Sequence, residues 1–395
     1  MSKESPLAKR IKRHITGRRR TYFAAVTPGF EDLCCNELAA LALPTETVSM
    51  VDGGIEFAGK LVDCYQANLH LRTAGRILLR IDHIKASGFR QLENKTAQIP
   101  WELYLPPTGV ANLHVTARHC RLYHTDAVGQ CISAAIQRRL TDNDMRRKEP
   151  DGPESGLSVF VRGVDDRFTI SIDSSGEHLH KRGLKRHRGK APLRETMAAA
   201  ALLLAGYTPP EPLIDPMCGT GTFSLEAALM AKKIPPGWFR EFAFRHWPSF
   251  SPKRWAYMKR QCEALFDSPR RPIIFASDQD ASACRRLEAC VRHNGLSDTI
   301  TVSEKNFFDF RPQDLTDGTG MVVINPPYGV RLGSLDESET LLGAIVDRLK
   351  HAYQGWKVVL VAPDQKLVPT VPFKLEVRPF SHGGLKPALM FGEIR

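Results

Sequence analysis

Val322-Val323-Ile324, followed directly by Asn325-Pro326-Pro327-Tyr328-Gly329, restricts this chain more than any other stretch. Three β-branched aliphatics in a row predict a strand buried on both faces, as in parallel sheets. Two prolines behind them stop both a ladder and a helix. The strand therefore ends at Asn325, on the carboxyl edge of a sheet, where open α/β folds bind ligands. The Asn325 amide, the Pro326 carbonyl, the stiffening Pro327 and the Tyr328 ring together suit a flat ring that carries an amine. They offer two acceptors in line with its N–H bonds and a surface for stacking. The plain alternative is a proline-rich turn capped by a packed tyrosine.

Three more predicted strands end in matching chemistry. Pro212–Phe223 reads as strand, glycine loop and helix, with Asp215-Pro216-Met217-Cys218-Gly219-Thr220-Gly221 as its loop. Gly219 and Gly221 let a ligand approach the backbone, and the helix over Phe223–Ala231 points its positive end at that ligand. The loop lacks the third glycine of a dinucleotide fingerprint and carries an acid before it, which disfavours a pyrophosphate and favours a ligand with a positive group. The strand Ile273–Ser277 runs into Asp278-Gln279-Asp280, and a carboxylate at the second strand tip suits a ribose diol. The strand Ile300–Val302 precedes Asn306-Phe307-Phe308, an acceptor for an adenine amine beside rings that can pack on it. Asp215, Pro216, Cys218, Gly219, Thr220, Gly221, Asp278, Gln279, Asn306 and Asn325 are thus the candidate cofactor residues. Asn325, Pro326, Pro327 and Tyr328 are the candidate catalytic ones. An amino-acid end, a ribose, an adenine and a second ring beside it describe one ligand with its target: S-adenosylmethionine and an amine-bearing base.

The charge points to the partner. A chain of 395 residues suggests two or three domains, and a net charge of +12 with pI near 9.3 favours a polyanion, nucleic acid first. Residues 1–20 hold eight Lys/Arg against one Glu and are expected to form a disordered basic arm. Residues 181–194 hold seven Lys/Arg and no carboxylate. Lys181, Arg182, Lys185, Arg186, Arg188 and Lys190 in this run, with Arg118, Arg121, Arg138 and Arg139 upstream, are the candidate RNA-binding cations. The nine cysteines show no paired C-x-x-C spacing, so no zinc site and no disulfide framework is indicated, and reduced thiols in the cytoplasm fit. No secretory or membrane-spanning stretch is expected.

The first half reads as two α+β pieces. Tyr22–Val26, Phe30–Leu41, Val48–Val51, Ile55–Phe57, Leu61–Leu71 and Arg76–His83 follow strand, helix, strand, strand, helix, strand, the order of a ferredoxin-like sandwich. A strand at Asn112–Ala117, a helix at Asp126–Leu140 and a hairpin of Ser158–Arg162 with Arg167–Asp173 follow it. Pro192 then opens a helix over Leu193–Ala205.

These motifs carry a resemblance. D-S-S-G-E-H-L-H-K-R-G at Asp173–Gly183, A-P-L-R-E-T at Ala191–Thr196, D-P-M-C-G-T-G at Asp215–Gly221, P-P-G-W-F-R-E-F-A-F at Pro235–Phe244 and N-P-P-Y-G-V-R-L at Asn325–Leu332 are similar to those of the THUMP-domain RNA guanine-N2 methyltransferases. The methyltransferase half of the bacterial large-subunit rRNA enzyme and its stand-alone relatives are the members the chain resembles. The resemblance covers nearly all residues after 20. It implies an α/β fold with a C-terminal Rossmann-like, seven-stranded methyltransferase domain, preceded by a ferredoxin-like domain and a THUMP domain that grips structured RNA. The expected boundaries are a basic arm over 1–20, the ferredoxin-like domain over 21–85, THUMP over 86–175, a basic linker over 176–194 and the methyltransferase domain over 195–395. It further implies that Asp215, Gly219 and Gly221 hold the methionine end of S-adenosylmethionine, Asp278 its ribose, and Asn325, Pro326 and Tyr328 the target guanine. Asn306 departs from the family, whose members often carry Asp there. The expected reaction is methyl transfer to guanosine N2, in 23S rRNA first and tRNA second. Adenine-N6 methylation, a non-catalytic RNA-binding assembly factor and methylation of a protein glutamine, which leaves the basic run unexplained, are the competing readings.

Overall fold

The computed structural model describes residues 5–41, 48–106, 111–142, 157–185, 193–327, 335–362, 364–381 and 386–395. They fall into two compact units. The first comprises residues 1–26, 35–179 and 241–259, and the second 27–34, 180–240 and 260–395.

The chain runs through α1 (Pro6–Ile11), β1 (Arg20–Val26), α2 (Glu31–Ala40), β2 (Ser49–Val51), β3 (Gly54–Gly59), α3 (Leu61–His70), β4 (Ala74–Lys85), α4 (Phe89–Gln98), β5 (Ala111–Arg118), α5 (Thr125–Asp142), β6 (Leu157–Val164) and β7 (Arg167–Asp173). Strands β2-β3-β1-β4 lie in the order a ferredoxin-like sandwich requires. The sheet does not stop there. The 12-residue β4 is long enough to take β7 antiparallel along its other edge, and β6 and β5 follow, so one seven-stranded sheet runs through the first unit. The expected ferredoxin-like and THUMP pieces therefore share a single sheet and are not separate layers. Asp165 and Asp166, both at positive φ, make the tight turn between β6 and β7.

The basic arm is corrected more sharply. Residues Pro6–Ile11 are α-helical, and Lys12–Thr16 continue as a π-helical turn. Ser5 caps the start, its side chain accepting from the Ala8 amide at 3.2 Å. Ile11 and Ile15, four residues apart on one face, are buried. Arg10 reaches Glu102, a carboxylate only 2% exposed, at 2.7 Å.

The D-S-S-G motif is a knot in this unit. Asp173 accepts from the amides of Ser175 (2.9 Å) and Gly176 (3.1 Å) and pairs with Arg76. Ser174 and Ser175 trade hydrogen bonds with Asn68 of α3 and the Ile77 backbone of β4. Burial pushes the Asp173 carboxyl up to about 6, against the pull of Arg76.

The second unit is built from α6 (Glu195–Leu204), β8 (Leu213–Asp215), α7 (Thr222–Ala231), α8 (Pro252–Glu263, which begins in the first unit), β9 (Ile274–Asp278), α9 (Ala281–His293), β10 (Ile300–Glu304), β11 (Met321–Ile324), α10 (Leu335–Ala352), β12 (Lys357–Ala362), β13 (Glu376–Pro379) and β14 (Ala388–Glu393). Its sheet order is β10-β9-β8-β11-β12-β14-β13. The first five strands are parallel and β14 enters antiparallel beside β12. The order reverses between β8 and β11, the switch point where such sheets open a crevice. Val322, Ile324, Val358 and Leu360 pack with Leu342, Ile345 and Leu349 of α10 in one buried cluster. This double-sided burial is why their sequence shows no alternation.

The methyltransferase boundary of 195–395 also needs correction. Residues 241–259 belong to the first unit, because Phe244 stacks on Tyr65 of α3 at 4.4 Å, Trp255 meets both rings edge-on, and the Phe244 amide donates to Ser174 at 3.0 Å. None of the described helices is long and apolar enough to cross a membrane.

Candidate functional site

β8, β9, β10 and β11 run parallel, so the residues at their carboxyl ends gather on one edge of the sheet. Asp215 ends β8 and is 1% exposed. Its Oδ2 accepts from the Ser224 amide (3.2 Å) and hydroxyl (2.6 Å), which satisfies one of the free amides of the first turn of α7. Its Oδ1 is buried and has no hydrogen-bond partner among the described residues. Burial pushes this carboxyl up to about 7, while Lys185 draws it down. A buried acceptor left open is costly in a folded chain unless something comes to it.

The glycine loop follows, with Pro216 buried and Thr220 half-buried. The Cys218 amide donates to Ser277 at 2.9 Å and the Gly221 amide to Cys218 at 2.7 Å, which fastens the loop to β9. Both glycines have positive φ, +51° at Gly219 and +74° at Gly221, for different reasons. A Cβ on Gly221 would stand 2.3 Å from Leu287 of α9, so this glycine allows helix and loop to close. A Cβ on Gly219 would meet no atom within 4 Å, so this glycine keeps a cradle open.

Asp278 ends β9. Its Oδ2 accepts from the Gly219 amide at 2.8 Å and its Oδ1 from Asp280 at 2.9 Å. One lone pair on each oxygen is left for a diol, and the same carboxylate sets the height of the loop. Beyond β10, Asn306 accepts from the Phe308 amide at 3.0 Å and donates to the exposed Gln279 at 3.2 Å. Its amide thus caps the 307–309 turn and tethers Gln279. Phe307 is core, and Phe308, 37% exposed, is the ring left to a planar ligand.

Asn325 ends β11. It is half-buried, and its Oδ1 is shut off from solvent without a partner among the described residues. Pro326 is buried and Pro327 half-buried behind it. Tyr328 lies outside the described residues. The site therefore holds two unanswered buried acceptors, Asp215 Oδ1 and Asn325 Oδ1, and an open glycine cradle on one sheet edge. Those features fit a ligand with a cationic amino-acid end and, near it, a base with N–H to donate.

One neighbour had no signal in the sequence. The thiols of Cys218 in the loop and Cys284 of α9 interact, which draws Cys284 down to about 7 and pushes Cys218 up, while the Cys284 thiol donates to the carbonyls of Asp278 and Ser303 at 3.4 Å. Cysteines 66 residues apart in no spaced motif give no hint of this.

The candidate RNA cations divide. Arg182 is corrected: it is 3% exposed, with Nε 2.8 Å and Nη2 3.3 Å from the buried Glu226 of α7, and a phosphate cannot reach it. Lys185 turns inward to Thr222 and Glu195. The Lys181 carbonyl accepts from Arg240 at 3.1 Å. In the first unit Arg118 and Arg121 are exposed, the latter 3.7 Å from Asp166. Arg138 pairs with Glu93 at 2.8 Å, and Arg139 shares Glu102 with Arg10. Arg186, Arg188 and Lys190 lie outside the described residues.

Residues 182–376 match the family described as RMKL-like, methyltransferase domain (UPF0020), and residues 21–78 match the RlmL ferredoxin-like domain. The protein named "Putative RNA methyltransferase slr0064" from Synechocystis is 30% identical over 95% of this chain and 97% of its own length. Ribosomal RNA large subunit methyltransferase K/L of Magnetococcus marinus is 32% identical over 85% of this chain and 47% of its own. The chain spans about half the length of the K/L relatives it matches. Among solved structures, SMU.472 complexed with SAH superposes with a TM-score of 0.84 at 26% identity, over 96% of this chain and 99% of that one. A structure titled a predicted N6-adenine-specific DNA methylase from Listeria monocytogenes gives 0.82 at 29%, over 95% and 96%.

Proposed function

The chain belongs to the RMKL-like methyltransferase family, and from that premise we propose that it transfers a methyl group from S-adenosylmethionine to the exocyclic N2 of a guanosine in RNA, with 23S rRNA as the substrate. The observation that carries this reading is the unanswered Asn325 Oδ1 at the end of β11, on the same sheet edge as the open Gly219 cradle.

The guanine amine is a weak nucleophile because its lone pair is delocalised into the ring. Asn325 Oδ1 accepts one amine hydrogen and the Pro326 carbonyl the other, which turns the lone pair out of conjugation. Both acceptors also stabilise the positive charge that grows on nitrogen. The two prolines hold them rigid, so little reorganisation is needed at the moment of reaction. The donor, when bound, supplies an electrophilic methyl on a sulfonium. Asp215 and the glycine loop hold its amino-acid end, Asp278 its ribose and Phe308 its adenine. The base must leave its stack to reach the sheet edge, with Tyr328 as its stacking partner. As the N–CH3 bond forms the S–CH3 bond breaks and leaves a neutral thioether, and the alkylated nitrogen, now acidic, passes its proton to water without a dedicated strong base. Residues 86–175, as a THUMP domain, and the exposed cations Arg118 and Arg121 grip the RNA.

Incubation of the protein with labelled donor and 23S rRNA, followed by digestion to nucleosides, is expected to yield N2-methylguanosine. Label in N6-methyladenosine would install the second reading, which the Listeria structure's title favours and which the same N-P-P-Y chemistry permits. Label in tRNA alone would move the substrate, and absence of transfer from a bound donor would leave an RNA-binding factor.

A further inference from the structure

Lys185 was expected to meet RNA phosphates, yet its side chain is only 11% exposed. Its Nζ donates to Thr222 Oγ1 at 2.8 Å and lies 3.2 Å from Glu195 Oε1 and 3.5 Å from Thr220 Oγ1. Thr220 belongs to the glycine loop and Thr222 is the first residue of α7, so a nearly buried ammonium stands where the helix presents its free amides. Gly219, between Cys218 and Thr220, faces open space. Asp215, whose Oδ1 has no partner, holds the same helix turn through Ser224. One turn of backbone therefore carries a cation with amides on one side and an unanswered buried carboxylate oxygen on the other. Opposite charges set side by side in this way match a zwitterion.

We propose that Lys185 is the anchor for the carboxylate of the donor's amino-acid end, while Asp215 Oδ1 takes the ammonium of the same group. The proposal rests on S-adenosylmethionine as donor and is independent of which base is methylated. An ammonium has three N–H bonds. Thr222 and Glu195 hold two, and the long contact to Thr220 is the one a ligand carboxylate replaces. The α7 amides add to the attraction. Glu195, 16% exposed, fixes the ammonium in place without facing it alone. Burial explains why a lysine serves here: a charge-assisted bond in a site screened from water is stronger than the same bond on a surface.

The test uses binding alone, with the full chain and no RNA. Affinities are measured by calorimetry for S-adenosylmethionine and for its decarboxylated analogue, which keeps the sulfonium, amine, ribose and adenine. The wild type is expected to prefer the intact donor by about 10- to 100-fold, the range of a charge-assisted bond. Lys185→Met is expected to lose most of that preference, its affinity for the intact donor falling toward that of the analogue, and Lys185→Arg to keep most of it. Equal affinity of the wild type for the two ligands overturns the proposal whatever the variants do. A Lys185→Met variant that loses both ligands in parallel also overturns it and makes the residue structural. A Lys185→Met variant that keeps the full preference for the intact donor also overturns it. Failure of the wild type to bind either ligand would instead remove the donor reading itself.

Discussion

Asn325 and Asp215 each present one oxygen with no hydrogen-bond partner among the described residues, and under the proposed reaction the consequences differ, because Asn325 would meet the acceptor base and Asp215 the donor. Asn325→Ala removes an acceptor that acts as charge develops. It is expected to lower kcat by roughly 10²–10³-fold while donor affinity stays within about twofold, as single-turnover kinetics and calorimetry would show. Asp215 gives a pH dependence. Its carboxyl sits near 7 in the folded chain against an ordinary 3.8. Between those values the folded state keeps a proton that the unfolded state has released, so this group makes the fold less stable as pH rises from about 4 to about 7, and adds nothing further above that. A ligand ammonium favours the ionised form. Donor binding at pH 6 should then release a proton, and affinity should climb toward pH 7 and level off. Calorimetry in two buffers of different ionisation enthalpy measures the release, which Asp215→Asn should abolish. Both residues were legible in the sequence because strand-end position and residue type are local. What Asn306 does was not, since its partner Gln279 comes from another strand end.

The glycine loop shows how an element can hold two needs in three residues. Gly219→Ala and Gly221→Ala both force a side chain into the left-handed region, at about 1 kcal/mol or more. Only the second also drives a methyl into Leu287. Gly221→Ala is expected to lower thermal stability by about 2–4 kcal/mol in all, and Gly219→Ala by about 1 kcal/mol with the larger loss in donor affinity. Thermal melts with and without donor separate the two. Elements with a strong local pattern, such as β11, α9 and the β6–β7 hairpin, could be read directly. α1 could not, because eight positive charges in residues 1–20 masked the Leu7, Ile11, Ile15 spacing that makes it a helix. The join of β4 to β7 was equally hidden, since which edge a strand offers is decided by residues about a hundred positions away.

At the scale of the whole molecule, the net charge of +12 does not by itself locate a surface for a polyanion. Part of the apparent grip is internal structure, and Arg182 with Glu226 is the plainest case. Arg182→Ala breaks a buried ion pair and is expected to cost about 3–5 kcal/mol of stability, read from denaturant midpoints. It should leave the salt dependence of RNA binding unchanged, whereas losing Arg118 or Arg121 should each reduce the slope of log K against log salt by about 1. The motif D-S-S-G likewise proved to be a fastening between α3, β4 and the end of β7.

The chain visits the second unit at residues 27–34, enters it again at residue 180, returns to the first for residues 241–259 and then leaves again. A fragment ending at residue 179 would leave Tyr65 bare, and one starting at 180 would carry Phe244 and Trp255 with nothing to cover them. Heredity must accordingly treat the protein as one cassette. A recombination event that exchanged either unit for a homologue's would have to move several separate stretches of gene together.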